Sequence, residues 1–292
     1  MVPIVLIRGG GDLATGVAVR LFRAGFRIIV TELPQPLAVR RTVSFAETVY
    51  EGAWEVEKIR ARRADSESEV PKILGRGEVP VLVDPEAALL KEQANLRLQI
   101  GTVVDARMTK RPAAGPLPRP ARNAKNPEVA PLLIGLGPGF NAGANCHAVI
   151  ETMRGHTLGR VYWQGSAMAD TNLPEGDPRR ILRAPSAGIV HAHAEIGQRV
   201  EGGQVIAEVR SGDGQVRFVT SPLAGILRGM IRPGLLVTLG LKIGDVDARK
   251  DPGLCYLVSD KSLAVGGGVL EAILGWSKLV SQEAEVAGES SV

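Results

Sequence analysis

The first residues able to do chemistry form a glycine-rich turn between an apolar strand and a helix-forming segment. Residues Pro3–Arg8 lead into GGGDLATG, which has the spacing G-x-G-x-x-A. In such a turn the first glycine permits a tight bend, and the second lets a pyrophosphate approach the N-terminus of the helix. The alternative is a strand-to-helix turn that binds nothing. The predicted phosphate-binding residues are Gly9, Gly10, Gly11, Asp12 and Ala14.

Three acidic residues end apolar strands and extend this prediction. Glu32 lies 21 residues after Gly11, where a carboxylate that binds a ribose 2′-hydroxyl is expected. An acid there favours an NAD-like or adenosine-like ribose, because a carboxylate repels a 2′-phosphate. Asp84 and Asp105 end two further predicted strands. Ligands of open α/β sheets bind outside the carboxyl ends of the strands, so we expect these carboxylates to line one edge.

A second glycine-rich loop, GLGPG, follows the predicted strand Pro131–Leu136. Its backbone amides could form an anion-binding cradle, and the alternative is a simple turn. The glycines of this candidate site are Gly135, Gly137 and Gly139.

The remaining reactive side chains do not form a convincing catalytic group. Cys146 and His147 are neighbours on a predicted strand, so their side chains point to opposite faces. A buried structural cysteine is therefore favoured over a thiolate–imidazole pair. His191 and His193 share a strand face but lack further ligands. We predict no metal site and identify no catalytic residue.

The elements that must position these residues alternate between strands and helices. Strands that are apolar throughout and separated by helices indicate a parallel sheet covered on both faces. The predicted fold class is α/β, with a Rossmann-like nucleotide-binding domain over residues 1–166. Its strands are predicted at Pro3–Arg8, Arg27–Glu32, Val56–Arg60, Val79–Asp84, Leu98–Asp105 and Pro131–Leu136, and its helices include Leu13–Ala24, Thr42–Tyr50 and Pro85–Gln93.

The segment Ala184–Val246 contains an internal repeat of 37 residues. Shifted by that distance, residues 185–209 align without a gap on 222–246, with nine identities in 25 pairs. Repeats of this kind are analysed before single elements. The pattern resembles the biotinyl/lipoyl-type hammerhead domain, so we predict a small all-β barrel-sandwich over residues 179–250. No lysine occurs between Lys125 and Lys242, and we therefore expect no biotin or lipoate.

Two other segments carry predictions. A C-terminal strand (Gly253–Ser259) and helix (Asp260–Leu274) are predicted within residues 251–280, followed by a disordered tail over 281–292. Three successive glycines inside that helix, residues 266–268, indicate close packing or a break. The segment Ala106–Pro127 holds six basic residues, five prolines and no acid. It is interpreted as a mobile loop or as a contact with an anion or a partner.

Composition excludes several classes of protein. The 292 residues suggest about two domains, and 45% hydrophobic with 23% charged residues is an ordinary globular composition. A net charge of +4 is too small for a general nucleic-acid binder. No apolar run approaches the roughly 18 residues of a membrane span. Two cysteines exclude a disulfide framework and fit the cytoplasm.

Four segments together carry a resemblance to a known family. They are RGGGDLATG, GLGPGF, CHAVIETMRGHTLGRV and SDKSLAVGGGVLEAIL. Over nearly the whole chain they resemble the YqeB-type accessory proteins of selenium-dependent molybdenum hydroxylase systems. The first segment is also similar, more remotely, to the Rossmann domain of XdhC/CoxI-type factors. Those factors assist insertion of the molybdenum cofactor into xanthine dehydrogenase-like enzymes.

The resemblance implies a maturation factor for a molybdenum hydroxylase. Such a factor would bind a nucleotide or the pyranopterin (molybdenum) cofactor and dock on the partner enzyme, with no nucleic acid or membrane involved and with an oligomer allowed. Two alternatives stay open. An NAD-dependent oxidoreductase is disfavoured because no residue is placed as a proton donor. A structural adaptor with no ligand would use its glycine loops only as turns.

Overall fold

The computed structural model describes residues 4–109, 131–170 and 177–289, with side chains up to Trp276. The predicted basic segment Ala106–Pro127 therefore lies, from residue 110 onward, outside the described residues. The α-helices are α1 (Asp12–Arg23), α2 (Thr48–Glu51), α3 (Val70–Gly75), α4 (Leu89–Glu92) and α5 (Asp260–Glu289). Turns of 3₁₀ helix occupy Arg41–Val43, Phe45–Glu47, Glu67–Glu69, Pro178–Arg180 and Pro252–Cys255.

The strands fall into four sheets. Those of the first 166 residues are β1 (Ile4–Arg8), β2 (Arg27–Glu32), β3 (Ala53–Val56), β4 (Ile59–Ala64), β5 (Val79–Val83), β6 (Ile100–Asp105), β7 (Leu132–Leu136), β8 (Asn141–Ala142), β9 (Ala148–Ile150), β10 (Val161–Tyr162) and β11 (Gly165–Ser166). Those that follow are β12 (Ile181–Arg183), β13 (Gly188–Ala192), β14 (Arg199–Val200), β15 (Val205–Arg210), β16 (Val216–Thr220), β17 (Gly225–Met230), β18 (Leu236–Val237) and β19 (Lys242–Asp247).

The largest sheet has nine strands in the order β10-β9-β7-β6-β1-β2-β5-β4-β3. Its seven strands from β9 to β4 are parallel, and β10 and β3 pair antiparallel at the two edges. Alternate residues of β1 enter different hydrophobic clusters. Val5 and Ile7 pack with α1 and α5, whereas Ile4 and Leu6 pack on the opposite face with Leu89 of α4. Burial of both faces explains why these strands are apolar throughout.

Glycines allow α5 to lie against α1 and against the β9–β10 hairpin. A Cβ at Gly266 would lie 3.0 Å from the Gly16 carbonyl oxygen, and one at Gly268 would collide with the Gly159 carbonyl oxygen. The helix is continuous through all three successive glycines, so close packing is the correct alternative and the break is not. None of the helices in the described ranges is long and apolar enough to cross a membrane.

The C-terminal region differs from the prediction in two places. The predicted strand Gly253–Ser259 is wrong: the chain forms a 3₁₀ turn over Pro252–Cys255. Asp251 caps this turn by accepting the Gly253 amide at 2.8 Å. The segment from Ser281, predicted as a disordered tail, is helical as far as Glu289; residues 290–292 are outside the described part of the chain.

Three predicted elements of the first region also need correction. The predicted strand Val56–Arg60 is the turn of the β3–β4 hairpin, where Glu57 and Lys58 have φ values of 47° and 69°. Pairing along both flanks of this turn, rather than local propensity, decides the structure. The predicted helix Pro85–Gln93 is reduced to α4. The predicted helix Thr42–Tyr50 consists of two 3₁₀ turns and α2.

The repeat is matched by the pairing of the strands in two four-stranded antiparallel sheets. The inner sheet has the order β12-β19-β17-β14, and the outer sheet has the order β16-β15-β13-β18. A shift of 37 residues converts β12, β13, β14 and β15 into β16, β17, β18 and β19, and thereby exchanges the two sheets. The short strand of each half pairs with a strand of the other half: β14 pairs with β17, and β18 pairs with β13. Both halves share one hydrophobic core.

The helix glycines provide a matched test of this packing. Gly268→Ala places a methyl group against the Gly159 carbonyl, whereas a Cβ at Gly267 meets no atom within 4 Å. We expect Gly268→Ala to lower the free energy of unfolding by about 1–3 kcal/mol through overpacking. Gly267→Ala should raise it by up to about 1 kcal/mol through helix propensity. Urea unfolding of both variants checks this, and equal effects would contradict the packing role.

Candidate functional site

The parallel sheet brings the predicted acidic and glycine residues to a single edge. In the sheet register Arg8 lies beside Thr31 on one side and beside Asp105 on the other. Asp105 in turn lies beside Gly135. Glu32 ends the neighbouring strand β2, and Asp84 directly follows β5. The carboxyl ends of these strands therefore form a continuous polar edge.

The three glycines of the first turn have different surroundings. Gly9 has a φ of 95°, which favours glycine. A Cβ at Gly10 would lie 2.9 Å from the Ala46 backbone nitrogen, and that nitrogen donates to the Gly10 carbonyl oxygen at 2.8 Å. A Cβ at Gly11 would meet no atom of the described residues within 4 Å. Gly11 is the N-cap residue of α1, so the start of this helix is open on that side.

Glu32 holds the glycine turn in place. Its Oε2 accepts the Gly10 amide at 2.5 Å, and its Oε1 accepts the Leu33 amide at 2.7 Å. Burial raises the pKa of the Glu32 carboxyl, and the two amide hydrogen bonds offset part of that rise. Both oxygens of this carboxylate thus bind backbone groups, and its role as a ribose acceptor stays a prediction.

The other two strand-end acids also bind groups of the protein. Asp84 accepts the Ala88 and Leu89 amides at 2.8 and 3.0 Å, which starts α4. Asp105 is buried and forms a bidentate pair with Arg107, with its shortest contact at 2.6 Å. The buried Arg8 lies 3.6 Å from the same carboxylate. Burial lowers the pKa of the Arg8 guanidinium, and the nearby Arg107 lowers it further.

The second glycine loop is packed from both sides. A Cβ at Gly135 would collide with the Phe140 ring, and one at Gly137 would collide with the Thr152 hydroxyl. The Gly137 amide donates to the Ile150 carbonyl at 2.9 Å. Gly139 has a φ of 101°. Close packing and turn geometry account for these glycines, and the anion cradle stays a prediction.

Cys146 is a buried thiol, and His147 contacts a backbone amide and an aromatic ring. Burial raises the pKa of the Cys146 thiol to about 12, so the sulfur carries its proton at neutral pH. His147 accepts the Leu133 amide through Nδ1 at 2.7 Å and its ring lies 4.7 Å from that of Trp276. Among the residues that the structure describes, no group of three or more His, Cys, Asp or Glu side chains could hold a metal ion.

Sequence analysis missed the charged side chains that surround the open end of α1. Arg40 is 8% exposed, and its guanidinium lies 3.6 Å from the Asp12 carboxylate in the first turn of α1. Glu47 is buried and is contacted by Arg41 at 3.3 Å and by Arg232 at 3.1 Å. The paired arginines at 40 and 41 were the only sequence signal, and a local pattern does not show that they are buried.

The fold and site define a class: a mixed α/β protein with a large parallel sheet, a glycine turn at its carboxyl edge and separate antiparallel sheets. The chain is 43% identical over 275 residues to a curated protein of Escherichia coli (strain K12) described as uncharacterized protein YqeB. The match covers 93% of this chain and 47% of that protein, so the chain spans about half the length of its relative. This similarity supports the YqeB family.

The chain is also similar to a family model and to solved structures. The family model DUF2118, described as an uncharacterized protein conserved in archaea, matches residues 161–230. Among solved structures, the apo ectoine utilization protein EutE (DoeB) of Ruegeria pomeroyi is similar over 84% of this chain and 86% of its own, with 13% identity and a TM-score of 0.27. A succinylglutamate desuccinylase/aspartoacylase of Rhodobacter sphaeroides covers 24% of this chain and 22% of its own, with 20% identity and a TM-score of 0.23.

Removal of the Glu32 carboxylate tests its structural role. Glu32→Ala leaves the buried Gly10 amide without an acceptor, and we expect the free energy of unfolding to fall by about 1–3 kcal/mol. Glu55→Ala, which truncates an exposed glutamate, should change it by less than about 0.5 kcal/mol. Urea unfolding at neutral pH measures both. An unchanged stability of Glu32→Ala would show that the carboxylate does not hold the turn.

Comparison of wild type with Glu32→Ala also yields a prediction about the pH dependence of stability. Because the pKa of Glu32 is raised in the folded state, the folded protein takes up this proton at a higher pH than the unfolded chain. The contribution of Glu32 to stability therefore increases as the pH falls through the folded pKa and levels off below the unfolded value. The difference in unfolding free energy between wild type and Glu32→Ala should be larger at about pH 5 than at about pH 8. A smaller difference at the lower pH contradicts this.

Proposed function

We propose that this protein is an accessory factor for the maturation of a molybdenum hydroxylase, the role implied by the resemblance of its four sequence segments. In this role it binds a nucleotide or the pyranopterin cofactor and docks on the partner enzyme. The observation that carries the ligand-binding part is the open N-terminus of α1 at Gly11, at the carboxyl edge of a parallel sheet. Ligands of such sheets bind at this edge.

The assignment of a Rossmann-like domain and of a barrel-sandwich domain is part of the same proposal. The order β7-β6-β1-β2-β5-β4 with α1 following β1 supports a Rossmann-like domain. The exchange of short strands between two repeated halves supports a barrel-sandwich of the biotinyl/lipoyl type. In this proposal the barrel carries no prosthetic group and serves as a binding surface.

The residues near Gly11 fit a group that carries a phosphate. The first turn of a helix presents amides without intrahelical acceptors, and these donors bind phosphate oxygens. Cationic side chains lie beside it, and in the described ranges the buried Nε atoms of Arg40 and Arg228 have no hydrogen-bond partner. A nucleotide and the pyranopterin cofactor both carry phosphate groups. This donor set therefore fits either of them and does not distinguish between the two.

Docking on a partner enzyme is supported by the outer sheet. Ile189 on β13 lies beside Leu236 on β18, and these side chains are 43% and 71% exposed. Phe218 on β16 is 61% exposed. Contiguous exposed apolar side chains are typical of interaction surfaces.

Ligand binding is tested at Gly11. A branched side chain at this position fills the open side of the helix start, so Gly11→Val should weaken binding of AMP or NAD at least tenfold. Gly75→Val, at another glycine with open space around it, is the matched control and should bind as wild type. Isothermal titration calorimetry measures both. Binding of neither nucleotide by wild type, or an unchanged affinity of Gly11→Val, would favour the structural adaptor.

The maturation role is tested in the host. Deletion of the gene should leave the molybdenum hydroxylase present but lacking its cofactor and its activity, and expression of the chain should restore both. Hydroxylase purified from the deletion strain is assayed for activity and for bound molybdenum. Normal activity with normal cofactor content would exclude a required maturation role. Hydride transfer by the isolated chain would instead support the oxidoreductase.

A further inference from the structure

A cluster of cationic side chains lies between the N-terminus of α1 and the inner sheet. Its members come from three distant parts of the sequence: Arg40 precedes a 3₁₀ turn, Arg228 is on β17, and Lys242 is on β19. The chain segment that begins at Val39 packs directly on the inner sheet, because Val39 lies 2.9 Å from the position of a Cβ at Gly229. This contact brings Arg40 next to the strand that carries Arg228.

Arg40 is buried but not fully satisfied. One terminal nitrogen donates to the Leu257 carbonyl at 3.1 Å, and the other lies 3.6 Å from the Asp12 carboxylate. Its Nε has no hydrogen-bond partner among the residues that the structure describes. Burial lowers the pKa of this guanidinium, and the nearby Arg228 lowers it further. A buried donor without an acceptor costs free energy, and this one lies beside the open helix start.

The hydrogen-bond donors of Arg228 are also incompletely satisfied. Its closest carboxylate oxygens belong to Asp247 and Asp245, at 3.7 and 4.0 Å, which is too long for a hydrogen bond. Both acids have closer partners: Arg249 contacts Asp247 at 2.6 Å, and Arg180 contacts Asp245 at 2.5 Å. The Nε of Arg228 is buried and makes no hydrogen bond within the described part of the chain. Arg228 therefore keeps donors that these carboxylates do not use.

Lys242 adds a third cation, which forms no ion pair with the residues that the structure describes. Burial lowers the pKa of its ammonium group. Asp245 and Asp12 counteract this effect, whereas Arg180 and Arg228 add to it. Lys242 is on the same strand as Asp245 and Asp247, the two acids nearest to Arg228. An anion bound among these cations would relieve their mutual repulsion.

The internal repeat shows that the strands themselves do not require these cations. A shift of 37 residues places Lys242 on Val205 and Arg228 on His191 in the outer sheet. Both halves form equivalent strands, so an apolar residue at the lysine position is compatible with the fold. Arg228 and Lys242 are thus particular to the sheet on which the segment at Val39 packs. This asymmetry favours a role in binding over a role in folding.

We propose that Arg40, Arg228 and Lys242 form a phosphate subsite beside the N-terminus of α1, which binds the phosphate of the ligand at the glycine turn. This inference rests on the proposed function and adds which side chains recognise the ligand and through which group. The ligand class is a phosphorylated small molecule, and its phosphate is recognised more strongly than its organic part.

The test compares three probes on the full chain: inorganic pyrophosphate, AMP and adenosine. Isothermal titration calorimetry should give binding of pyrophosphate and AMP, with adenosine at least tenfold weaker. Lys242→Met and Arg228→Met should each weaken pyrophosphate and AMP about tenfold, the loss expected for one charged hydrogen-bonding group. Arg210→Met, which removes a cation from the outer sheet, is the matched control and should leave both affinities unchanged.

Lys242→Met keeps the test decisive if Arg228→Met fails to fold. Methionine replaces a half-buried ammonium that forms no ion pair with the described residues, so this variant should fold at least as stably as wild type, as checked by thermal unfolding. The affinity of wild type for pyrophosphate should also fall as the salt concentration rises.

The outcomes separate this subsite from the proposed function. Equal binding of AMP and adenosine, with Lys242→Met binding as wild type, would overturn the subsite and leave nucleotide binding intact. Pyrophosphate binding that depends on Lys242 would support the subsite. If AMP then binds no more tightly than pyrophosphate, the nucleotide is overturned as the ligand. Binding of none of the three probes would overturn both.

Discussion

The hydrogen bond between the Gly10 amide and the buried Glu32 carboxylate is the contact on which the candidate site depends. It joins the turn after β1 to the end of β2, two strands that are neighbours in the sheet. The Ala46 amide adds a third segment by donating to the Gly10 carbonyl. With Gly10 enclosed in this way, Gly11 is left as the open position at the start of α1. The hydrogen bonds of Gly10 to Glu32 and Ala46 thus determine which part of the turn a ligand can reach.

Buried ion pairs determine how the segment beside the glycine turn lies against the inner sheet. Glu47 is contacted by Arg41 and by Arg232 from the loop after β17, and Arg41 also donates to the Met230 carbonyl at 2.8 Å. Glu47 is buried and shared by two partly exposed arginines, so loss of its carboxylate would leave both cations without this partner. These contacts therefore keep Arg40 next to Asp12 and bring the cations of the inner sheet near the helix start.

The repeat illustrates how one backbone pattern acquires two environments. The inner and outer sheets are equivalent under the 37-residue shift, but the segment at Val39 packs on the inner sheet at Gly229. The outer sheet keeps exposed apolar side chains such as Phe218 and Leu236. The two sheets therefore have equivalent strands but different surfaces. In the proposed function this difference separates ligand recognition from partner docking.

The sequence alone predicted the features that depend on local pattern. Apolar runs identified β1, β2 and β7 to within a residue, because strands covered on both faces are apolar throughout. The repeat and the strand-end acids followed in the same way. Tertiary structure decided that Glu32 is held by backbone amides, that Gly11 and not Gly10 is open, and that Arg40 is buried near β17. These outcomes depend on contacts between residues far apart in the chain, and no local periodicity reports such contacts.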